Sequence, residues 1–234
     1  MNKKNKICYN LYYINLDRSL DRRKFMEDQF KSNSIFFKRI SAVDGKDIKI
    51  KYRNKCTKKI SHSELGCTLS HIKAIQTAYN DNCNIAVICE DDINFSLIKK
   101  WNEKLSDIVN MVKDDWHIIK LHENNDRFII LKNEPPSLKN IHQKSSSTGL
   151  YLINRKSMEY MINRYVKNDK IILKGKFGQA DKLLYNPSSK ITSLVYNIPL
   201  VFNINNFLSL IAKTHNNFQH KSIVKIKNFY EKFR

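Results

Sequence analysis

The chain has 234 residues, with 42 Lys and Arg against 22 Asp and Glu, a formal net charge of +20. Its 41% apolar content excludes a disordered chain, and its length allows one domain with a sizeable core but not two nucleotide-binding domains side by side. The charge predicts attraction to phosphates, whether in nucleic acid, anionic lipid or a nucleotide, and does not choose among them.

Residues Ile7 to Leu16 form the first predicted strand, rich in aromatic and β-branched side chains. A helix follows from about Ser19, with Ser19 or Asp17 as its cap and Phe25, Met26 and Phe30 as its apolar face. Arg18, Arg22 and Arg23 gather at this strand-to-helix turn, where backbone N–H groups also point outward. Such a turn can hold a phosphate or be a solvated basic helix start. Ile35 to Ile40 is a second strand, followed by an Asp44-Gly45 turn. Lys46 to Lys59 is basic and irregular, the composition of a mobile loop. Ser61 and Glu64 form a capping box for a helix whose Leu65, Leu69, Ile72, Ile75 and Tyr79 keep core-facing spacing. Ser70, Lys73 and Thr77 fall on another face, with His71 among them as a structural or solvated residue.

The stretch Asn84 to Phe95, NIAVICEDDINF, organises the chain. Its apolar, β-branched run predicts a buried central strand, and Glu90, Asp91 and Asp92 fall at the carboxyl end, where open α/β sheets bind ligands. Three adjacent carboxylates repel one another and resist desolvation, so they form either an acidic turn on a solvated edge or a cation site. Hard oxygen ligands suit Mg²⁺ or Mn²⁺.

A helix over Leu97 to Val112 and a strand over Trp116 to Leu121 come next. Glu134-Pro135-Pro136-Ser137 marks a loop, Gln143 to Thr148 is polar, and Gly149 leads into the strand LYLI. Arg155 to Tyr165 is a helix with Met158, Met161 and Ile162 inward, and Asp181 starts a short helix. Leu194 to Phe202 is a last strand, placed at an edge by Pro199. The tail, residues 221–234, repeats Ile223, Ile226 and Tyr230 at helical spacing among basic residues, a pattern suited to an anionic membrane surface. Residues 1–220 are expected to form the domain proper.

The five cysteines, Cys8, Cys56, Cys67, Cys83 and Cys89, are odd in number and lack CxxC spacing. They fit a reducing compartment, with neither a disulfide framework nor a zinc site. The N-terminus has no long apolar region, and no segment approaches the roughly 20 apolar residues of a membrane span. A cytoplasmic protein, at most peripheral at a membrane, is the expectation.

Five blocks in order, YYINLDRSLDRR, the AVDG turn, SELGCTLSH, AVICEDDINF, and STGLYLINRKS followed by Asp181, resemble glycosyltransferase family 25, the lipooligosaccharide and collagen-type galactosyltransferases. SELGCTLSH shortly before AVICEDD is the specific part. The resemblance implies an α/β fold of the GT-A type, a single Rossmann-like mixed sheet flanked by helices. It implies inverting transfer of a hexose, usually galactose, from a UDP-sugar to a hydroxyl of a glycan, lipooligosaccharide or glycoprotein acceptor. Glu90 and Asp92 match the family's acidic motif and become the expected ligands of Mn²⁺ or Mg²⁺, Asp92 the more direct. Arg18, Arg22 and Lys73 are then candidates for the diphosphate, and Asn15, Asp44 and Ser70 for uridine; Asp17, in the first block, joins this donor-binding set. Asp181 matches a later family aspartate and is the candidate base, with Asp91 in reserve. The late segment departs from the family, with Asn203 and Ser209-Leu210-Ile211 where a glutamine and Ser-Asp-Ile are usual.

Three other classes compete. A Mg²⁺-dependent nucleotidyltransferase needs a Gly-rich phosphate loop near the first strand, and no glycine precedes Gly45. A nucleic-acid-binding protein accounts for the charge, but Lys and Arg are scattered and no RNA- or DNA-binding signature is present, so no nucleic acid partner is expected. An inactive relative that only binds sugar nucleotide fits the late departure.

Overall fold

A computed structural model of the chain describes residues 6–48, 60–112, 115–123, 135–141, 147–168, 170–171, 178–185, 191–204 and 216–233. Residues 49–59 of the expected loop, 143–146 of the polar stretch and Ser209-Leu210-Ile211 lie outside them. The first half contains β1 (Asn10–Asn15), α1 (Leu20–Ser32), β2 (Phe37–Ser41), α2 (His62–Asn80), β3 (Ile85–Glu90), β4 (Ile93–Asn94), α3 (Leu105–Asn110) and β5 (Ile118–Lys120). The second half contains β6 (Leu138–Asn140), β7 (Leu150–Asn154), α4 (Arg155–Tyr165), β8 (Val166–Lys167), β9 (Lys170–Ile171), α5 (Ala180–Leu184), β10 (Ser193–Tyr196), β11 (Phe202–Asn203) and α6 (Asn216–Phe233).

Seven strands form one mixed sheet in the order β2-β1-β3-β7-β5-β10-β6. β2, β1 and β3 run parallel, β7 runs against both β3 and β5, and β10 is parallel to β5. The carboxyl ends of β1, β2, β3 and β5 and the start of β7 therefore share one edge. Both faces are covered, which is why the central strands are apolar in succession rather than alternating. Tyr12, Ile14, Ala86, Ile88, Tyr151 and Ile153 pack with Ile72 and Ile75 of α2 and Met158 and Met161 of α4. Leu11, Tyr13, Val87, Cys89, Leu150 and Leu152 pack with Met26 and Phe30 of α1 and with α6.

The expected capping box is formed: Glu64 N–H donates to Ser61 Oγ at 3.1 Å, and Ser61 N–H to Glu64 Oε2 at 2.7 Å. Other expectations change. Ser19 takes the N-cap position of α1 but makes no side-chain capping bond, and Asp17 turns to Arg39; Asn15 Nδ2 donates to the Ser19 carbonyl at 3.2 Å. The helix expected over 97–112 is a single 3₁₀ turn at Ile98–Lys100 and then α3, because Trp101 turns extended. Its indole N–H donates to the Leu200 carbonyl at 2.9 Å, and the buried ring holds the chain out of helix there. The last strand is not an edge: β10 ends before Pro199 and pairs on both sides, and β6, between the loop expected at 134–137 and the polar stretch from Gln143, takes the edge.

The basic tail also differs from a free amphipathic helix. α6 starts at Asn216, and Ile223, Ile226, Phe229 and Tyr230 are buried in the main core, with Tyr230 Oη donating to the Pro199 carbonyl at 3.3 Å. The face expected to meet a membrane is covered by the domain itself. Replacing Ile226, fully buried, by Ala should destabilise the protein by about 2–5 kcal/mol, the usual cost of such a truncation. Urea denaturation checks this; a loss within the ±0.5 kcal/mol typical of surface changes would mean that α6 is not part of the cooperative core.

Candidate active site

The pleat of β3 carries into the acids that follow it. Ile88 points to the α2 face and Cys89 to the α1 face, so Glu90 returns toward α2. Its Oε1 lies 3.2 Å from His71 Nε2 and accepts a hydrogen bond from Thr148 Oγ1. His71 is buried, and its Nδ1 lies 3.0 Å from Tyr151 Oη. Despite burial, these partners hold the Glu90 carboxyl below its ordinary range. Asp91 turns to the opposite side and accepts from Asn15 Nδ2 at 2.7 Å and Arg22 Nη1 at 2.8 Å. Asp92 is different. Its Oδ1 is closed to solvent and makes no hydrogen bond among the described residues. Burial, then the Glu90 charge, push its carboxyl up to about 7.

These acids form one wall of a cleft of about 280 Å³. Arg18, Arg22, Asp44 and Ser70 line it with them, as do His71 and Cys67. Arg18 and Asp44 pair through Nε–Oδ2 at 2.6 Å, with Nη2–Oδ1 at 3.4 Å, on the exposed side. Ser70 fixes the 43–45 loop: its Oγ accepts from Val43 N–H at 2.8 Å and donates to the Gly66 carbonyl at 2.6 Å. Gly66 is needed for that approach, since a Cβ there would sit 2.7 Å from the Val43 oxygen and 2.9 Å from Gly45 N. The SELGCTLSH block thus holds the AVDG turn against the helix by close backbone contact.

The remaining candidates lie outside the cleft lining. Asn15 is buried beneath it, and its Oδ1 accepts from Arg39 Nε at 3.0 Å. Asp17 pairs with Arg39 and accepts from Ser41 Oγ at 2.8 Å. Lys73 Nζ donates to the Ser41 carbonyl at 2.8 Å. Asp181 stands in the first turn of α5, its Oδ1 accepting from Lys182 N–H at 2.8 Å. Its charge acts on Cys67 and on Lys120 and Tyr185.

Sequence reasoning missed a second polar group at the same sheet edge. Lys120 is fully buried at the end of β5 and pairs with Glu123 Oε2 at 2.8 Å, with its Nζ 5.6 Å from the centre of the Tyr185 ring. Between them in sequence, His122 is buried with Nδ1 2.8 Å from Ser147 Oγ, and its Nε2 has no hydrogen bond among the described residues. The available signal was charged residues directly ending an apolar strand, IIKLHE. Also missed were Cys67 and His71: with Glu90 they place three ligand atoms within 4.8 Å of one another. Their C-x₃-H spacing on one helix face was legible, but the third member comes from β3.

Residues 9–172 match the sequence model of the family described as "Glycosyltransferase family 25 (LPS biosynthesis protein)". The chain belongs to glycosyltransferase family 25. Its seven-stranded mixed sheet flanked by helices agrees with the α/β fold expected for this family. A relative from Haemophilus influenzae, named "Putative glycosyltransferase", is 30% identical over 170 residues, 67% of this chain and 57% of its own. Human procollagen galactosyltransferase 2 is 28% identical over 123 residues, 47% of this chain and 20% of its own. The chain thus spans little more than half of one curated relative and a fifth of the other. Among solved structures, a glycosyltransferase involved in the glycosylation of the major capsid of PBCV-1 is similar over 80% of each chain, with a TM-score of 0.45 and 11% identity. No helix among the described residues is long and apolar enough to cross a membrane.

His122 gives the site a pH signature. Burial, then the Lys120 charge, push the imidazole down to about 4, so the folded protein holds it neutral where the unfolded chain protonates. A depressed pKa contributes full stability above the unfolded value of 6.5 and loses it as pH falls toward 4. Between pH 6.5 and 4.5 the wild type should lose about 2 kcal/mol more than His122→Gln. Urea denaturation of both proteins at the two pH values checks the difference, and equal losses would contradict it.

Proposed function

We propose that the chain is an inverting, metal-dependent glycosyltransferase that moves a hexose, galactose in the first instance, from a UDP-sugar to a hydroxyl of a glycan or glycoconjugate. One observation carries the metal-assisted reading: a buried, unpartnered carboxylate oxygen, Asp92 Oδ1, beside a second carboxylate at the carboxyl end of a central strand. Burial, then the neighbouring Glu90 charge, raise the Asp92 carboxyl, which a bound cation would relieve, and the hard oxygen donors Asp92 and Glu90 fit Mn²⁺ or Mg²⁺. A cation held there supplies charge neutralisation to the UDP leaving group. The human relative's name, procollagen galactosyltransferase 2, supports galactose as the first sugar to test.

The chain's own groups divide the remaining work. Arg18 lines the cleft, and exchange of its Asp44 partner for a donor phosphate converts a surface ion pair into a substrate contact. Asp44, so released, is assigned to accept a hydrogen bond from ribose or base. The 43–45 loop, fixed by Ser70, shapes the nucleotide side of the cleft. Arg22 and Asp91 in the cleft wall and Asn15 beneath them form a charged clamp, and we assign them to holding α1 and β3 in place rather than to direct contact. Lys73 and Asp17 support the same wall through Ser41. Inversion in one step forms the bond from the acceptor oxygen to the anomeric carbon as the bond to UDP breaks, with the hydroxyl proton passing to Asp181. Asp181, in the first turn of α5, is assigned this role from its match to the family's later aspartate. Contact with an anionic membrane during acceptor delivery goes through exposed lysines of α6 such as Lys221, not through its apolar face.

A panel of UDP-sugars, assayed for UDP release with and without Mn²⁺, tests the donor class; release stimulated by Mn²⁺ from one UDP-hexose is expected. Asp181→Asn keeps size and hydrogen bonding but does not take the proton. Turnover should fall by roughly 10²–10⁴ while UDP-sugar affinity, read by titration, stays the same. Near-normal turnover in the folded variant would remove Asp181 as base.

A further inference from the structure

The cleft contains a second set of donors, softer than the acid pair. Cys67 and His71 are one helical turn apart on α2, so both side chains leave the same face. That face meets the end of β3, where Glu90 returns toward it. The Cys67 sulfur, a His71 ring nitrogen and a Glu90 carboxylate oxygen lie within 4.8 Å of one another. Tetrahedral zinc with nitrogen, oxygen and thiolate ligands places neighbouring ligand atoms roughly 3.3–3.6 Å apart, given its usual bond lengths. His71 Nε2 and Glu90 Oε1 are already at 3.2 Å, and a small inward motion of the sulfur completes the set.

We propose that Cys67, His71 and Glu90 form a binding site for a thiophilic divalent cation, of which Zn²⁺ is the type, distinct in chemistry from the hard-cation position at Asp92. Three further observations support it. The other nitrogen of His71 is held by Tyr151 Oη at 3.0 Å, the outer partner that a ligating histidine uses to fix its ring and tautomer. Thr148 donates to Glu90 and fixes the carboxylate in the same way. All three ligands line the cleft, the setting of a zinc site that takes water or substrate in its fourth position rather than of a closed structural one. Binding requires the Cys67 thiol to release its proton to solvent as the metal–sulfur bond forms, with no change of oxidation state. The site shares Glu90 with the proposed hard-cation position, so Zn²⁺ bound here competes with Mn²⁺ for a common ligand. It does not depend on sugar transfer and stands or falls on metal binding alone.

Co²⁺ is the probe, added alone to the full metal-free chain, because thiolate ligation gives it a charge-transfer band in the near ultraviolet that oxygen and nitrogen ligands do not. The expected result is a saturable band at one equivalent, abolished by Zn²⁺, retained in Cys8→Ser and lost in Cys67→Ser. His71→Asn, measured by the same titration, should weaken Co²⁺ binding at least tenfold and keeps the test decisive should Cys67→Ser fail to fold. Absence of the band in the wild type, its persistence in Cys67→Ser, or unchanged affinity in His71→Asn would overturn the site. Loss of UDP-sugar turnover plays no part in this outcome, so the two proposals fail separately.

Discussion

Like charges at the end of one strand must each find a separate compensation, and the architecture around β3 follows from that. Glu90, Asp91 and Asp92 are consecutive, and no single partner can serve all three at that spacing. The fold distributes them. Glu90 is taken by α2 and the start of β7 through His71 and Thr148, and Asp91 by β1 and α1 through Asn15 and Arg22. Asp92 has an oxygen that no described residue satisfies. A buried acceptor left bare costs on the order of 1–3 kcal/mol, more when charged, so its persistence beside a cleft marks a place where function, not stability, sets the residue.

The same distribution joins the sequence blocks physically. YYINLDRSLDRR supplies Asn15 and Arg22 for Asp91. SELGCTLSH supplies His71 for Glu90 and the Gly66 contact that seats the AVDG turn. STGLYLINRKS supplies Thr148 and Tyr151. Motifs scattered over more than a hundred residues meet because each answers one charge or one backbone approach at the carboxyl edge of the sheet. The net charge of +20 belongs to the rest of the molecule; the wall of the cleft formed at the end of β3 is acidic.

Much of this was legible in the sequence because it rests on local rules. The capping box at Ser61, the apolar period of α2 and the buried run of β3 are each set by neighbours within a few residues, and each is where the pattern put it. The helix over 97–112 failed because a long-range contact, Trp101 to the Leu200 carbonyl, overrides local propensity. Pro199 was read as an edge marker, yet β10 had already ended, so its lost N–H costs the ladder nothing. The tail shows a sharper limit. Spacing reveals that α6 has an apolar face but not what covers it, and here the domain does. Within the site, the acids were visible and their division of labour was not, since it depends on which way each side chain leaves the strand end. The roles of His71 and Lys120 were hidden for the same reason.

The central claim is that Asp92, alone among the three acids, is held open for a cation on the donor diphosphate. Calorimetric titration of UDP into the wild type, Asp92→Asn and Asp91→Asn, with and without Mn²⁺, tests it most directly. The account predicts that Mn²⁺ strengthens UDP binding in the wild type and no longer does so in Asp92→Asn. In Asp91→Asn the Mn²⁺ effect should persist while thermal stability falls, because the Arg22 clamp is broken. Undiminished Mn²⁺ enhancement in folded Asp92→Asn, or its loss in folded Asp91→Asn alone, would contradict the account.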